Sequence, residues 1–340
     1  MKKVFFACLA ALAIFASAAA AQEKTALSDQ LFPLLAKFDF DNNAMVVWWT
    51  DELWAVLSYQ DQTEDALLGY NVMSRMLKDY YFISPLSVDM ETTKTLEISG
   101  TPILENDAGV KSIPIKVHPS LKAAMPNLMA FPKKSPDGKD IITPDTKSIK
   151  VTLRFRDAAA DSSYTWNIPI KYPAIAQEAE DFLHKPQDKK IEDMSENELL
   201  SAYLPSTMLS DIGSGYLVAL LPPEMFAVML KKAPELTKDR IAKEVSQELI
   251  NGHTFFAITS FDQDPKRISA TAKTAKAIDT SGKTLTLDVD TYNSFLEGRS
   301  NKQEAFEILV FPQLGKQGDI KLILTDPDTG EESTFNWSQK

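Results

Sequence analysis

With one cysteine, three histidines and twelve glycines in 340 residues, the sequence is poor in the side chains from which most recognisable active sites are built. The single thiol, Cys8, lies in the N-terminal apolar segment. A chain processed after that segment can form no disulfide, no thiolate metal site and no cysteine nucleophile. No G-x-S-x-G, H-E-x-x-H or glycine-rich phosphate loop is present, and Ser214 between Gly213 and Gly215 carries only the outline of one. Positive charge is also short: 36 Lys and Arg face 47 Asp and Glu, a net charge of -11. Loss of Lys2 and Lys3 with the N-terminal segment takes it to -13, which opposes phosphate backbones and anionic membrane surfaces, so nucleic acid is not an expected partner.

What is present begins with a signal-like start. Lys2 and Lys3 precede an apolar run, Val4 to Ala16, and then small residues, Ser17 to Ala21. The run is shorter than the roughly 20 residues that span a bilayer. Residues 1–21 are therefore expected to be a secretory signal cut near Ala20 or Ala21, leaving a periplasmic or secreted protein with no transmembrane segment. Phe5-Phe6-Ala7 before Cys8 does not fit a lipid-anchor signal. The remaining length, about 320 residues, exceeds the size at which one core usually stops growing, so two domains are expected.

The chain matches itself. Setting residue n against residue n + 172 places Met45 to Leu57 over Leu217 to Met229, with Glu52, Ala55 and Val56 recurring as Glu224, Ala227 and Val228. The same shift pairs Pro33 with Pro205, and Ile113, Ile115 and Val117 with Leu285, Leu287 and Val289. Leu128 to Pro132 answers Ile308 to Pro312 after an insertion, and at a shift of 171 Ile149 to Leu153 and Ser162 to Trp166 answer Ile320 to Leu324 and Ser333 to Trp337. Identity is low, but the apolar positions keep their order. The expected fold class is α+β: two tandem copies of one module, each a mainly antiparallel sheet packed by helices from its N-terminal half. The copies are expected at 22–172 and 195–340, joined by a polar linker at 173–194 that includes an Ala/Glu-rich helical stretch.

Within a copy, helices are predicted at Ser28 to Lys37, from about Thr50 through Leu57, and at Glu64 to Asp79, with Ser195 to Tyr203 and Leu236 to Leu249 answering in the second copy. Strands are predicted at Met45 to Trp49, Tyr81 to Asp89, Thr95 to Ser99, Ser112 to Val117, Leu128 to Phe131, Ile149 to Phe155, Tyr164 to Ile170 and Phe255 to Phe261. Short connections make neighbouring strands antiparallel. The polar loop Lys133 to Ser148 is longer than its counterpart Gln313 to Asp319. It is read as an idle insertion, or else as a place where function diverged.

Candidate chemistry is thin. Asp326, Asp328, Gly330 and Glu332 alternate through a turn and supply the hard oxygens calcium prefers, the one cofactor the pattern admits. The place of the closing glutamate is held by Trp337, and the matching Phe155, Asp157, Ala159 and Asp161 keep half the oxygens, so a hairpin turn is the plainer expectation. Asp39, Asp41 and Asn43 look similar but have Ala44 where glycine is required. His118, His184 and His253 are scattered and read as turn or surface residues. Trp48, Trp49 and Trp54 could anchor a partner, although their counterparts Leu220, Leu221 and Phe226 read as core. The favoured reading is an exported, non-catalytic protein whose modules bind a protein or small ligand. Two readings stay beside it: a hydrolase whose Asp/Glu or Ser groups meet only in the fold, and a structural protein of the envelope.

Overall fold

Where apolar and polar residues alternate most strictly, strands form. Ile149, Val151 and Leu153 are buried while Lys150 and Thr152 between them are not, and Ile320, Leu322 and Leu324 repeat the pattern. The computed structural model describes residues 30–61, 63–87, 96–156, 158–184, 193–194, 207–223, 252–290, 307–315 and 317–339. These divide into two compact units on either side of the boundary between Pro186 and Gln187. The fold is mixed α+β, with four antiparallel four-stranded sheets and six helices among the described residues.

The first unit opens with α1 (Phe32–Leu35), β1 (Ala36–Asp39), β2 (Ala44–Trp49), α2 (Asp51–Asp61), α3 (Glu64–Leu77) and β3 (Tyr80–Ser87). It continues with β4 (Ile103–Asn106), β5 (Lys111–Ser112), α4 (Pro119–Ala124), β6 (Met129–Pro132), β7 (Ser148–Leu153), β8 (Ser162–Asn167) and α5 (Ala174–Leu183). Its sheets run β1-β2-β3-β6 and β5-β4-β7-β8. Val46, Trp48, Ile83 and Phe131 of one sheet share a core with Leu104, Ile149, Val151 and Trp166 of the other. Each such fully buried side chain contributes about 1.5–3 kcal/mol. Thr50 accepts the Leu53 N–H at the start of α2, Thr63 accepts the Ala66 N–H at the start of α3, and α2 packs against both α3 and α5.

The second unit holds β9 (Met208–Asp211), β10 (Tyr216–Leu221), β11 (His253–Ser260), α6 (Pro265–Thr274), β12 (Lys276–Ile278), β13 (Thr284–Thr286), β14 (Glu307–Pro312), β15 (Gly318–Thr325) and β16 (Glu332–Gln339). Its sheets run β9-β10-β11-β14 and β13-β12-β15-β16. Tyr216, Phe256 and Phe311 meet Ile320, Leu322, Phe335 and Trp337 in its core, with Ile268 and Ala272 of α6 against them. Asp264 caps α6 by accepting the Lys266 N–H at 2.9 Å, and Pro265 follows as its first residue.

Two hairpins show how local chemistry sets the register. Asn106 Oδ1 accepts the N–H groups of Ala108 and Val110, at 3.0 and 2.9 Å, and Gly109 takes φ +80°. Asp279 Oδ1 accepts those of Ser281 and Lys283, both at 2.9 Å, and Gly282 takes φ +85°. Nothing lies within 4 Å of a Cβ added at Gly282, so Gly282→Ala meets only the left-handed backbone penalty. It should lower stability by about 1–2 kcal/mol in urea unfolding, whereas Gly252→Ala, at ordinary φ and in open space, should not.

Several expectations are corrected. Each unit has two facing sheets rather than one, because strands four and five leave the first sheet and start a second. The predicted helix ending at Lys37 stops at Leu35, and Ala36 onward pairs with β2; Phe38 and Asp39 gain ladder bonds there that a helix would deny them. The run from Ser112 to Val117 is a strand only at its start. Ile113 is exposed, and Ile115 makes a single bridge to Ala130. Leu104 faces Ser112 in the first unit, and Ala277 faces Leu285 in the second. Ile98 makes a lone bridge to Phe155 where a longer strand was expected. The loop after Lys133 is tied down: Ile141 is fully buried and its carbonyl accepts Asn106 Nδ2 at 2.8 Å. The helices predicted at Ser195 to Tyr203 and Leu236 to Leu249 lie outside the described residues.

Candidate functional site

Strands β1 and β8 are the outer strands of the two sheets of the first unit, and an open cleft of about 580 Å³ lies between them. The sheets are stitched together by side chains. Trp166 Nε1 of β8 donates to the Leu35 carbonyl at 2.9 Å, and the Tyr164 hydroxyl donates to Asp39 Oδ2 at 2.5 Å. Asn42 turns back on the same carboxylate, its N–H to Oδ1 at 3.0 Å and its Nδ2 to Oδ2 at 2.8 Å, and Nδ2 also donates to Ser162 Oγ at 3.0 Å. Burial raises the Asp39 carboxyl, but the hydrogen bonds from Tyr164, Asn42 and Ser162 outweigh it and hold the group below its usual range. Asp39 is an anion locked between two strands.

Beside this lock stand two aromatic side chains that the core does not use. Ala36 and Phe38 of β1 and Phe40, the first residue of the turn after it, stand two apart, but only Ala36 is buried; Phe38 is 56% exposed and Phe40 81%. Their rings lie 12° from parallel with centroids 6.0 Å apart. Leaving each phenyl in water forgoes about 1.5–3 kcal/mol of burial. The second unit has the lock without the aromatics. Asp211 accepts the N–H groups of Gly213 and Ser214 and the Ser333 hydroxyl, at 3.0, 3.3 and 2.7 Å, and Trp337 Nε1 donates to the Thr207 carbonyl at 2.7 Å. One residue before and one after that aspartate stand Ser210 and Ile212, and Ile212 is fully buried.

A second polar group gathers at the start of α2. The Tyr70 hydroxyl reaches Asp51 Oδ2 at 3.5 Å, the Tyr172 hydroxyl donates to Thr50 Oγ1 at 3.2 Å, and Asp51 Oδ1 is buried without a hydrogen bond. Glu180 of α5 has its carboxyl raised by burial and then by the carboxylates of Glu52 and Asp51. Burial likewise raises the Tyr70 and Tyr172 hydroxyls, aided by Asp51 and Glu52 respectively, so both remain donors at neutral pH. Tyr59 and Phe182 close the same helix pair, edge to face at 5.2 Å.

The residues singled out from sequence fall elsewhere. Trp48, Trp49 and Trp54 are all buried: Trp48 packs edge-on to Tyr81 and Trp166, and Trp49 Nε1 donates to Ser84 Oγ at 2.6 Å. Asp326 is buried too. Its Oδ1 accepts the N–H groups of Asp328 and Thr329, both at 2.9 Å, and its Oδ2 accepts Arg267 Nη2 at 2.6 Å, while Gly330 sits at φ +71° and Asp328 and Glu332 face solvent. Among the described residues no group of three or more His, Cys, Asp or Glu is placed to hold a metal ion. His118 caps α4 by accepting the Ser120 N–H, and His253 Nε2 lies 3.0 Å from Asp288. The sequence reading weighs Asp39, Asp41 and Asn43 for their oxygens and passes over Phe38 and Phe40, which flank Asp39. The available signal was a pair of alternating phenylalanines running directly into a polar turn. No protein-family model matches the chain, and no curated protein or solved structure is significantly similar to it.

Proposed function

We propose that the chain is an exported, non-catalytic binding protein made of two copies of one module, and that the cleft beside Phe38 and Phe40 takes its ligand. Duplication is supported by six strand pairs in each unit that match residue for residue. Phe38 faces Met45 as Ser210 faces Leu217, Tyr80 faces Pro132 as His253 faces Pro312, and Ile149 faces Trp166 as Ile320 faces Trp337. The aspartate locks at Asp39 and Asp211 repeat as well, so a polar device recurs along with the core. Export is supported by Lys2, Lys3 and the apolar run that follows them.

The observation that carries the binding reading is the exposed Phe38–Phe40 pair. The matching places in the second unit manage with Ser210 and a buried Ile212, so the fold does not need two phenyl rings in water there. The test is retention of material from the exported fraction by the wild type and by Phe38→Ser/Phe40→Ser, followed by protein and sugar analysis of what is held. The wild type should hold a ligand near one to one, and the variant should lose it while unfolding at the same temperature. Equal retention by both, or by neither, would remove the cleft from the proposal.

Glu180, its carboxyl raised by burial and by the carboxylates of Glu52 and Asp51, favours a second reading, a hydrolase with Glu180 as its general acid. Turnover of ester, glycoside or peptide substrates, abolished by Glu180→Gln, would establish it in place of the first.

A further inference from the structure

We propose that the first unit's cleft binds a saccharide, with the apolar C–H face of a pyranose on the Phe38–Phe40 pair and its hydroxyls held by Asp39, Asp41, Asn42 and Ser163. The inference deepens the binding reading and rests on it. Three features of the cleft select this class of ligand.

The first is the mixture of surfaces. Phenyl faces carry negative π density that attracts polarised C–H groups, and Phe40 in particular is open to a ring from solvent. Around them stand a locked carboxylate, a free-standing one at Asp41, an amide and hydroxyls at Ser162 and Ser163. A purely apolar ligand would strand these polar groups, whereas a sugar ring offers both an apolar face and a rim of donors. The second is charge. Asp39 and Asp41 outnumber Lys37 in the lining, which disfavours phosphates and carboxylates and suits a neutral donor-rich molecule whose hydroxyls can donate to the carboxylates. The third is the size of the strand edge. A bound peptide strand needs a ladder, and β1, the strand that carries Phe38, is only four residues long, with the carbonyl just before it already accepting from Trp166 Nε1; the other outer strand, β8, spans six residues, which makes a peptide the comparison ligand of the test. The volume, about 580 Å³, is in the range of small-molecule sites.

Isothermal titration of the full chain with hexasaccharides of β-1,4-glucose, β-1,4-N-acetylglucosamine and α-1,4-glucose tests this, with an extended neutral heptapeptide as comparison. At least one sugar should bind, and Phe40→Ser should weaken it tenfold or more with the thermal midpoint unchanged, because Phe40 is outside the core. Thr286→Ala, an exposed change on β13 of the second unit, should leave the affinity as it was. Binding of no sugar, or sugar binding indifferent to Phe40→Ser, overturns the inference. If the peptide binds in a Phe40-dependent way and no sugar does, the saccharide assignment falls while the cleft survives as a ligand site; if neither binds, both fall.

Discussion

Arg267→Ala should destabilise the second unit by about 3–5 kcal/mol, the usual result of removing one partner of a buried ion pair. Arg267 is 9% exposed and Asp326 8%. Its Nε and Nη2 both reach Asp326 Oδ2, at 3.1 and 2.6 Å, Nη1 reaches Asp262 Oδ2 at 2.9 Å, and Nη2 also donates to the Ser214 carbonyl at 2.7 Å. The guanidinium lies 4.6 Å from the Tyr216 ring centroid. One side chain therefore joins the turn after β9, the loop after β11 and the turn between β15 and β16. Without it the Asp326 carboxylate is left buried against Tyr216. Charge stranding, rather than lost packing, should dominate the cost. Arg267→Met combined with Asp326→Asn, which removes both charges and keeps the turn acceptor, should then be more stable than Arg267→Ala alone. Urea unfolding followed by hydrogen exchange in peptides of the second unit would decide, and equal losses in both variants would refute the charge argument.

Acid should act through the same pair. Burial opposes ionisation of Asp326, but the hydrogen bonds from Arg267, Thr329 and Asp328 prevail and hold its carboxyl at about 2, below the ordinary 3.8. The unfolded chain thus takes up this proton first on acidification. The stability it contributes is complete above about pH 4 and is lost as pH falls from there towards 2. In Arg267→Ala the arginine no longer holds the carboxyl down, so that part of the acid sensitivity should shrink.

Trp166→Ala should cost the first unit a comparable amount, about 3–5 kcal/mol, for emptying a large buried aromatic site. Trp166 is 1% exposed and stands edge-on to Trp48 at 5.9 Å. Its Nε1 satisfies the Leu35 carbonyl, so the deletion also leaves that acceptor without its partner. Trp166→Phe keeps most of the volume and loses the hydrogen bond, and should cost about 1–3 kcal/mol. Hydrogen exchange should show the loss in peptides of the first unit. A loss below about 1 kcal/mol for Trp166→Ala would mean that the two sheets are not held by this residue.

How much of this the sequence reveals depends on the range of the interaction. The strands at Ile149 to Leu153 and Ile320 to Leu324 are legible because alternation is a local property and both faces are sharply different. That they belong to a second sheet is not, since alternation says which face is buried and not which partner covers it. β1 is misread because Leu34, Leu35 and Phe38 fall at helical spacing, and only pairing with β2 makes the extended form better. α6 goes unnoticed despite its Asp264-Pro265 start, because its mean composition is polar and its buried stripe is narrow. Arg267 and Asp326 are 59 residues apart, and nothing local couples them. The candidate cleft is hidden for the opposite reason: phenylalanines two apart signal the buried face of a strand, whereas Phe38 is exposed on the outer strand β1 and Phe40 lies in the turn after it.

The strand orders have a kinetic consequence. In each unit the polypeptide passes from one sheet to the other three times, leaving after β3 or β11, returning for β6 or β14, and leaving again for β7 or β15. The fourth strand of one sheet is thus synthesised only after half of the other. Pairing in each unit therefore rests on contacts distant along the chain, and each unit is expected to fold slowly compared with a helical bundle of the same length, which stopped-flow refolding would check.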